Sequence, residues 1–297
     1  MIVLDYSQVA IATVFQFSAD LKKTSDDKEK AVNIIRHAIL SSLKFYKKKY
    51  GKEYGEMVIA CDGRNYWRKD VFPYYKAGRK ESREKSDLDW KLIFDTIAEI
   101  REDLIQHFPY KVLHIDKAEA DDVIGTLVKW AQNNALVTQG LYEEAQKIII
   151  ISSDGDFKQL QKYPNVKQWS PMQKKFVDVK DPKEYLMGHI TKAGDDGIPN
   201  VLSADNVFVE GIRQTPVMKK RLEEFLEKGI DACQNETEKR NWQRNQTLID
   251  FDFIPEDVSN SIIDIYMNQK VTGTKSTVMN YLIKKKCRLL LNEVDDF

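Results

Sequence analysis

The sequence predicts an α/β fold with a mainly parallel central sheet flanked by helices and followed by a smaller all-helical C-terminal region. Three observations carry the prediction. Short β-branched apolar runs alternate with amphipathic stretches of helical length, the runs lead into acidic residues, and the strand signals fade after about Pro182. The first run, Ile2 to Leu4, ends at Asp5. From about Lys28 to Tyr50, Ala31, Ile34, Ile35, Ala38, Ile39, Leu43 and Tyr46 recur at helical spacing, with Gly51 as the expected stop. Met57 to Cys61 is the second strand and ends at Asp62. A helix near Trp90 to Phe108 precedes the third, Lys111 to Ile115, which ends at Asp116, three residues before Glu119. A helix near Ala118 to Gln132 leads to the fourth, the isoleucine run that stops in Ser152-Ser153-Asp154-Gly155-Asp156. Right-handed crossovers in this β-α-β-α-β-α-β order give a parallel sheet. Beyond it, Thr215-Pro216 reads as a helix cap and first-turn pair.

At 297 residues the chain can bury a sizeable core, expected as two domains, 1–182 and 183–297. Its 46 basic and 46 acidic side chains cancel, so any affinity for polyanions has to come from the distribution of charge. Cys61, Cys233 and Cys287 have neither metal-ligand spacing nor an even count, which fits a reducing cytoplasm. No apolar stretch approaches the ~20 residues of a membrane helix. Nothing suggests oligomerisation, and a monomer is expected.

In open α/β sheets ligands gather outside the carboxyl ends of the strands. Seven carboxylates, Asp5, Asp62, Glu119, Asp121, Asp122, Asp154 and Asp156, are predicted along that one edge. An Asp-Gly pair is by itself an ordinary surface turn, and acidic first turns are common because they complement the helix dipole. That accounts for Glu119 and Asp122 but not for the whole set, which needs cations to be stable. Hard oxygen donors, with only four histidines in the chain, favour Mg²⁺ or Mn²⁺. Two such ions suit in-line displacement at phosphorus, and no GxxxxGK[ST] loop points to a nucleotide hydrolase instead.

From Arg64 to Lys85 there are eight Lys or Arg against three Asp or Glu, interleaved with aromatics. Arg64, Tyr66, Trp67, Arg68, Tyr75, Lys76, Arg79 and Lys80 are expected to hold unpaired nucleic acid at the mouth of the site by stacking and phosphate contact. The alternative is a solvated basic helix with its aromatics in the core. A glycine-rich turn from His189 to Val201 offers the Gly194 and Gly197 peptides to phosphates, or merely connects helices.

These motifs resemble the 5′-nuclease superfamily of flap endonucleases and 5′ to 3′ exonucleases. The resemblance rests on Leu4-Asp5-Tyr-Ser-Gln8, Cys61-Asp62, Trp67-Arg68 with Pro73, Tyr75-Lys76 and Arg79, Glu119-Ala-Asp121-Asp122, and Ser152-Ser-Asp154-Gly-Asp156-Phe157-Lys-Gln159-Leu160. It implies a PIN-like nuclease domain and a helix-three-turn-helix-like DNA-binding motif. It also implies divalent-metal cleavage near the 5′ end of flapped or RNA-primed duplexes, with ribonuclease H activity in primer removal. The seven carboxylates match the family's metal ligands, with Asp121 and Asp154 central to catalysis. Lys76 and Arg79 match cations of an arch, near 64–90, that grips the 5′ strand and the scissile phosphate. A replication clamp or single-strand-binding protein is an implied partner, and the apolar, acidic tail ending at Phe297 could dock a clamp or simply finish the last core helix.

One departure stands out. The family pattern Gly-Asp-x-x-Asp-Asn-Ile-Pro-Gly is here Lys192-Ala193-Gly194-Asp195-Asp196-Gly197-Ile198-Pro199-Asn200. Asp196 is then the second aspartate and Ala193 stands where the first belongs, leaving Asp195 as a substitute ligand and weakening the turn's potassium-and-phosphate contact at Gly197. Two other readings compete: a junction-binding protein with weak or lost catalysis, and an aspartyl-phosphate phosphatase. The second needs a nucleophile pair on the first strand, where Tyr6 and Ser7 follow Asp5.

Overall fold

All four expected strands form, and they align so that their carboxyl ends meet. The computed structural model describes residues 1–24, 27–79, 88–139 and 142–297. In chain order the elements are β1 (Ile2–Asp5), α1 (Tyr6–Gln16), α2 (Ser18–Lys22), α3 (Lys28–Tyr54), β2 (Met57–Cys61), α4 (Trp67–Val71), α5 (Trp90–His107), β3 (Lys111–His114), α6 (Ala120–Asn134), β4 (Leu136–Gln139) and β5 (Tyr142–Ala145). There follow β6 (Ile148–Ile151), β7 (Val166–Ser170), β8 (Lys175–Val177), α7 (Pro182–Lys192), α8 (Lys219–Lys228), α9 (Glu236–Ile249), α10 (Glu256–Asn268) and α11 (Lys275–Lys284). The main sheet runs β3-β2-β1-β6-β7-β8, parallel except for the edge strand β8, and β4 and β5 make a separate antiparallel ribbon. Leu4 pairs with both Ile59 and Ile151, so β1, β2 and β6 end nearly level.

The strands read as unbroken apolar runs because both faces are covered. Ile2, Leu4, Ile59, Ile149 and Ile151 face the core under α1, α3 and α5. Their neighbours Val3, Val58, Ala60, Ile148 and Ile150 face the opposite core under α6. A third core gathers Ile190, Ile198, Val201, Phe225, Trp242, Leu248 and Ile249, and takes in Phe72 and Tyr75 from the segment after α4. The C-terminal helical region therefore divides. Residues 182–249 supply most of the third core. Beyond them the chain returns to the sheet, with Val258, Ile262 and Tyr266 of α10 on one face and Val278, Tyr281, Leu282, Leu290 and Val294 on the other.

Two local expectations need correction, and the open reading of the tail is narrowed. Helix α3 continues through Gly51 because Tyr50 and Tyr54 carry its buried face onward, and it stops at Gly55, whose φ of +82° suits glycine. Thr215-Pro216 does not start a helix. The Thr215 N–H donates to Ser203 Oγ and its carbonyl accepts from Asn200, so the segment stays extended until α8. The tail is tied down: Phe297 packs edge-on against Phe108, and Lys48 pairs with Asp296, which opposes its use as a free docking peptide. Among the described residues no helix is long and apolar enough to cross a membrane.

Candidate active site

Each strand end delivers its carboxylate by a local device. Asp5 closes β1 and caps α1, accepting from the Gln8 N–H at 3.0 Å and from the Ser152 hydroxyl at 3.0 Å. Asp62, one residue past β2, accepts from the Ala120 N–H at 2.9 Å and so ties that strand to the start of α6. Asp154 accepts from the Asp156 N–H at 2.9 Å, and the Gln168 amide donates to the Ser152 and Asp154 carbonyls at 3.0 and 2.6 Å. Gly155 is not required here by backbone twist, since its φ is −69°. Its missing side chain instead leaves room for Tyr185, whose hydroxyl a Cβ would approach to 2.8 Å.

The cluster repels itself. Burial, then the charges of Asp62 and Asp154, push Asp5 up to about 7. Burial and then Asp154 raise Asp121, and burial followed by the charge of Asp156 pushes Asp154 up to about 6, although its side chain reaches the solvent-facing rim. Such shifts mark negative charge held together without sufficient compensation.

Across the cleft the segment after α4 is docked on the 193–200 turn. The Lys76 N–H donates to the Asp196 carbonyl at 2.7 Å, and the Lys76 ammonium bonds Glu119 and lies 3.3 Å from Asp196 Oδ2. The Arg79 guanidinium pairs with Asp196, and the Tyr75 hydroxyl donates to Glu119 at 2.9 Å. Burial alone would raise Asp196, but Lys76 and Arg79 hold its carboxyl below the usual range. Gly197, at φ +78°, lets the turn approach closely, with a hypothetical Cβ only 3.1 Å from the Tyr74 carbonyl.

Several predicted residues sit elsewhere than expected. Asp122 is fully buried. Its carboxylate meets Arg68 Nη1 at 2.8 Å, the Trp67 indole N–H at 3.2 Å and, capping its own helix, the Glu119 N–H at 2.8 Å. Arg68 also donates to Glu119 at 3.0 Å and to the Leu248 carbonyl at 2.8 Å. Trp67, Arg68 and Tyr75 are thus almost wholly buried beneath the carboxylates, Arg68 and Tyr75 reaching only the floor of the cleft, which makes them supports and not the stacking and phosphate contacts expected. Arg64 and Arg79 are exposed and Tyr66 is half-buried, while Lys80 lies outside the described residues. Gly194 and Asp195 are exposed at the turn. Among the described residues no three His, Cys, Asp or Glu side chains converge closely enough to hold an ion as they stand. The donors are nonetheless hard oxygens in electrostatic excess, the chemistry that divalent Mg²⁺ or Mn²⁺ fits. Sequence reasoning missed His189, whose Nε2 lies 2.9 Å from Asp156 Oδ1; the only available signal was its position four residues before Ala193.

An acidic crest at the carboxyl edge of a parallel sheet, facing Lys76 and Arg79, is an arrangement that suits phosphodiester cleavage. Comparison with known proteins sharpens the class. Residues 1–187 match the family described as 5′-3′ exonuclease, N-terminal resolvase-like domain, and residues 184–297 match the one described as T4 RNase H, C terminal. The chain belongs to this 5′-3′ exonuclease family. It is 36% identical over 307 aligned positions to the ribonuclease H of Enterobacteria phage T4, covering 99% of this chain and 94% of that one. It is 32% identical over 155 positions to flap endonuclease Xni of Shewanella piezotolerans, covering 49% of this chain and 53% of that protein. Two solved structures share the fold: T5 5′-exonuclease with bound zinc (TM-score 0.58, 17% identity, 91% of this chain and 99% of that one) and a T5 flap endonuclease complex with DNA and metal ions (TM-score 0.60, 18% identity, 90% and 97%).

Proposed function

We propose that the protein hydrolyses phosphodiesters near the 5′ end of flapped or RNA-primed duplex DNA, acting as a 5′ to 3′ exonuclease and flap endonuclease with ribonuclease H activity. Removal of RNA primers from lagging-strand fragments is the role this substrate class suggests. The observation that carries the reading is the placement of Asp5, Asp62 and Asp154 at the level carboxyl ends of β1, β2 and β6, with Asp62 tied to the acidic start of α6.

Asp5, Asp62, Glu119, Asp121 and Asp154 would hold one divalent ion, and Asp154 and Asp156, with Asp195 or Asp196, a second. Bound there, two Mg²⁺ or Mn²⁺ ions lower the pKa of water and neutralise charge on the reacting phosphate. The chain's own part is positional. Lys76 and Arg79 bring positive charge to the scissile phosphate once it displaces them from Glu119 and Asp196. Arg64 and Tyr66 flank the entering strand. The exposed Gly194 and half-buried Gly197 backbone would contact the duplex, with or without a potassium ion. Asp122 holds Arg68 and serves as a support instead of a ligand.

A 5′-labelled flap and an RNA-primed duplex incubated with Mg²⁺ test the reading. Asp154→Asn keeps the shape and removes the charge, and cleavage should fall by at least roughly 10²- to 10³-fold, the cost of losing one preorganised charged group. Equal cleavage by both proteins would reject the site. The departures at Ala193 and Gly197 favour one second reading, a junction-binding protein, and tight flap binding in chelator with no cutting in Mg²⁺ or Mn²⁺ would select it.

A further inference from the structure

His189 lies in the cleft formed with Asp121, Asp156, Asp195 and Asp196, yet the chemistry above leaves it without a role. Its ring is fixed on two sides. One face stacks on Tyr185, centroids 5.9 Å apart at an interplanar angle of 12°, and Nε2 meets Asp156 Oδ1 at 2.9 Å. Tyr185 in turn fits into the space left by the missing side chain of Gly155, so the Asp154-Gly155-Asp156 turn and the imidazole are packed as one unit.

Ala193 lines the same cleft, and its N–H donates to the His189 carbonyl at 2.7 Å, the spacing of one helical turn. Ala193 caps the helix at φ +37°, so it is the shared cleft and not a common helix face that brings the two positions together. In that cleft the chain has an alanine where the family pattern has an aspartate, and an imidazole beside it. We propose that His189 takes over from the lost carboxylate and, with Asp156, ligates the second divalent ion, making that site a mixed nitrogen and oxygen one. The donor spacing is compatible. Adjacent ligands of an octahedral shell at ~2.1 Å are about 3 Å apart, close to the 2.9 Å between Nε2 and Oδ1. The pair needs a further donor, and Asp121, Asp195 and Asp196 line the same cleft.

A nitrogen ligand changes selectivity. Imidazole suits transition ions better than Mg²⁺, which prefers all-oxygen shells, so the second site should take Mn²⁺ in preference to Mg²⁺ while the first accepts either. The inference rests on the metal-dependent reading above, and one experiment separates their failures. Mn²⁺ is titrated into the full chain and followed by electron paramagnetic resonance, with pulsed detection of nitrogen coupling. The expected result is two bound Mn²⁺, one of them coupled to nitrogen and resistant to Mg²⁺ competition. His189→Gln should abolish the coupling and weaken that ion by about 10- to 100-fold. Adding Ala193→Asp to His189→Gln should restore the second ion without nitrogen coupling, which also shows that the variant is folded. Two bound Mn²⁺ without nitrogen coupling, or unchanged affinity in His189→Gln, would overturn the histidine ligand and leave the metal reading standing. No Mn²⁺ binding at all would overturn both.

Discussion

Asp122 and Asp5 are both buried aspartates at the same sheet edge, and they live in opposite electrostatic worlds. Asp122 is surrounded by donors: the Arg68 guanidinium, the Trp67 indole and its own helix N-terminus. Asp5 has a backbone N–H and a serine hydroxyl, but its charged neighbours are Asp62 and Asp154, and its carboxyl is pushed up to about 7. Burial alone therefore does not tell a structural carboxylate from a functional one. The balance of neighbouring charge does, because a carboxylate paired with a buried guanidinium already has its charge compensated and gains less from an added ion.

Breaking the satisfied side should have the largest effect on folding. Arg68→Met leaves Asp122 and Glu119 buried without their guanidinium, and removing one partner of such a pair costs about 3–5 kcal/mol. Denaturant unfolding in chelator should show that loss. If Arg68→Met unfolded like the parent protein, Asp122 would have to be reassigned to the functional side.

The repelling side predicts the reverse trend. Asp5 ionises near 3.8 in the unfolded chain but only at about 7 when folded, so between those values the folded state binds more protons. Metal-free stability should then fall as pH rises from about 4 to 7, by on the order of 3 kcal/mol from this group. Asp5→Asn should flatten the decline and raise stability at neutral pH in chelator, while Mn²⁺ should stabilise the parent protein and not the variant. Thermal melts at several pH values would check both, and a parent protein whose metal-free stability rose over that window would contradict the repulsion argument.

Much of this edge was legible in the sequence. The apolar runs ending in Asp5, Asp62 and Asp154 follow from β-branching and from what a doubly covered strand requires, and all four expected strands form. Val166–Ser170 was not legible, because its buried and exposed positions alternate through Lys167 and Gln168 and so lack an apolar run. Trp67, Arg68 and Tyr75 were read as nucleic-acid contacts because composition cannot report which face of an aromatic, basic segment packs. What packs on it arrives from Leu248, 180 residues later. Asp122 did leave a local trace: it stands three residues after Glu119, the spacing of a helix capping box, which is what the structure shows.

Asp196 is the intermediate case, a carboxylate satisfied by the arch itself, and Gly197 sets its position. Gly197→Ala would place a Cβ at φ +78°, 3.1 Å from the Tyr74 carbonyl. Left-handed backbone costs roughly 1–2 kcal/mol for a non-glycine residue, with the close contact adding to it, so the turn should pull away from the arch. A lowered melting temperature together with a weaker effect of Lys76→Ala in the variant than in the parent protein would show that turn and arch are coupled. Additive effects would show that they are not.

Arg79→Ala should have the smallest effect on stability and separates the two sides most cleanly. Its partner Asp196 is shared with Lys76, and the guanidinium side chain is 53% exposed, so solvent screens the pair and only about 0.2–1 kcal/mol should be lost. Activity should respond more. If Arg79 leaves Asp196 for the substrate backbone, its removal takes one phosphate contact from the bound state and reduces the salt dependence of flap binding by about one unit of slope. Binding measured across a salt series, beside a melt of the same variant, gives both readings at once. A variant that lost stability but kept the parent salt slope would place Arg79 with Arg68 among the supports, and the arch would then present one cation fewer to the substrate than the exposed position of this side chain implies.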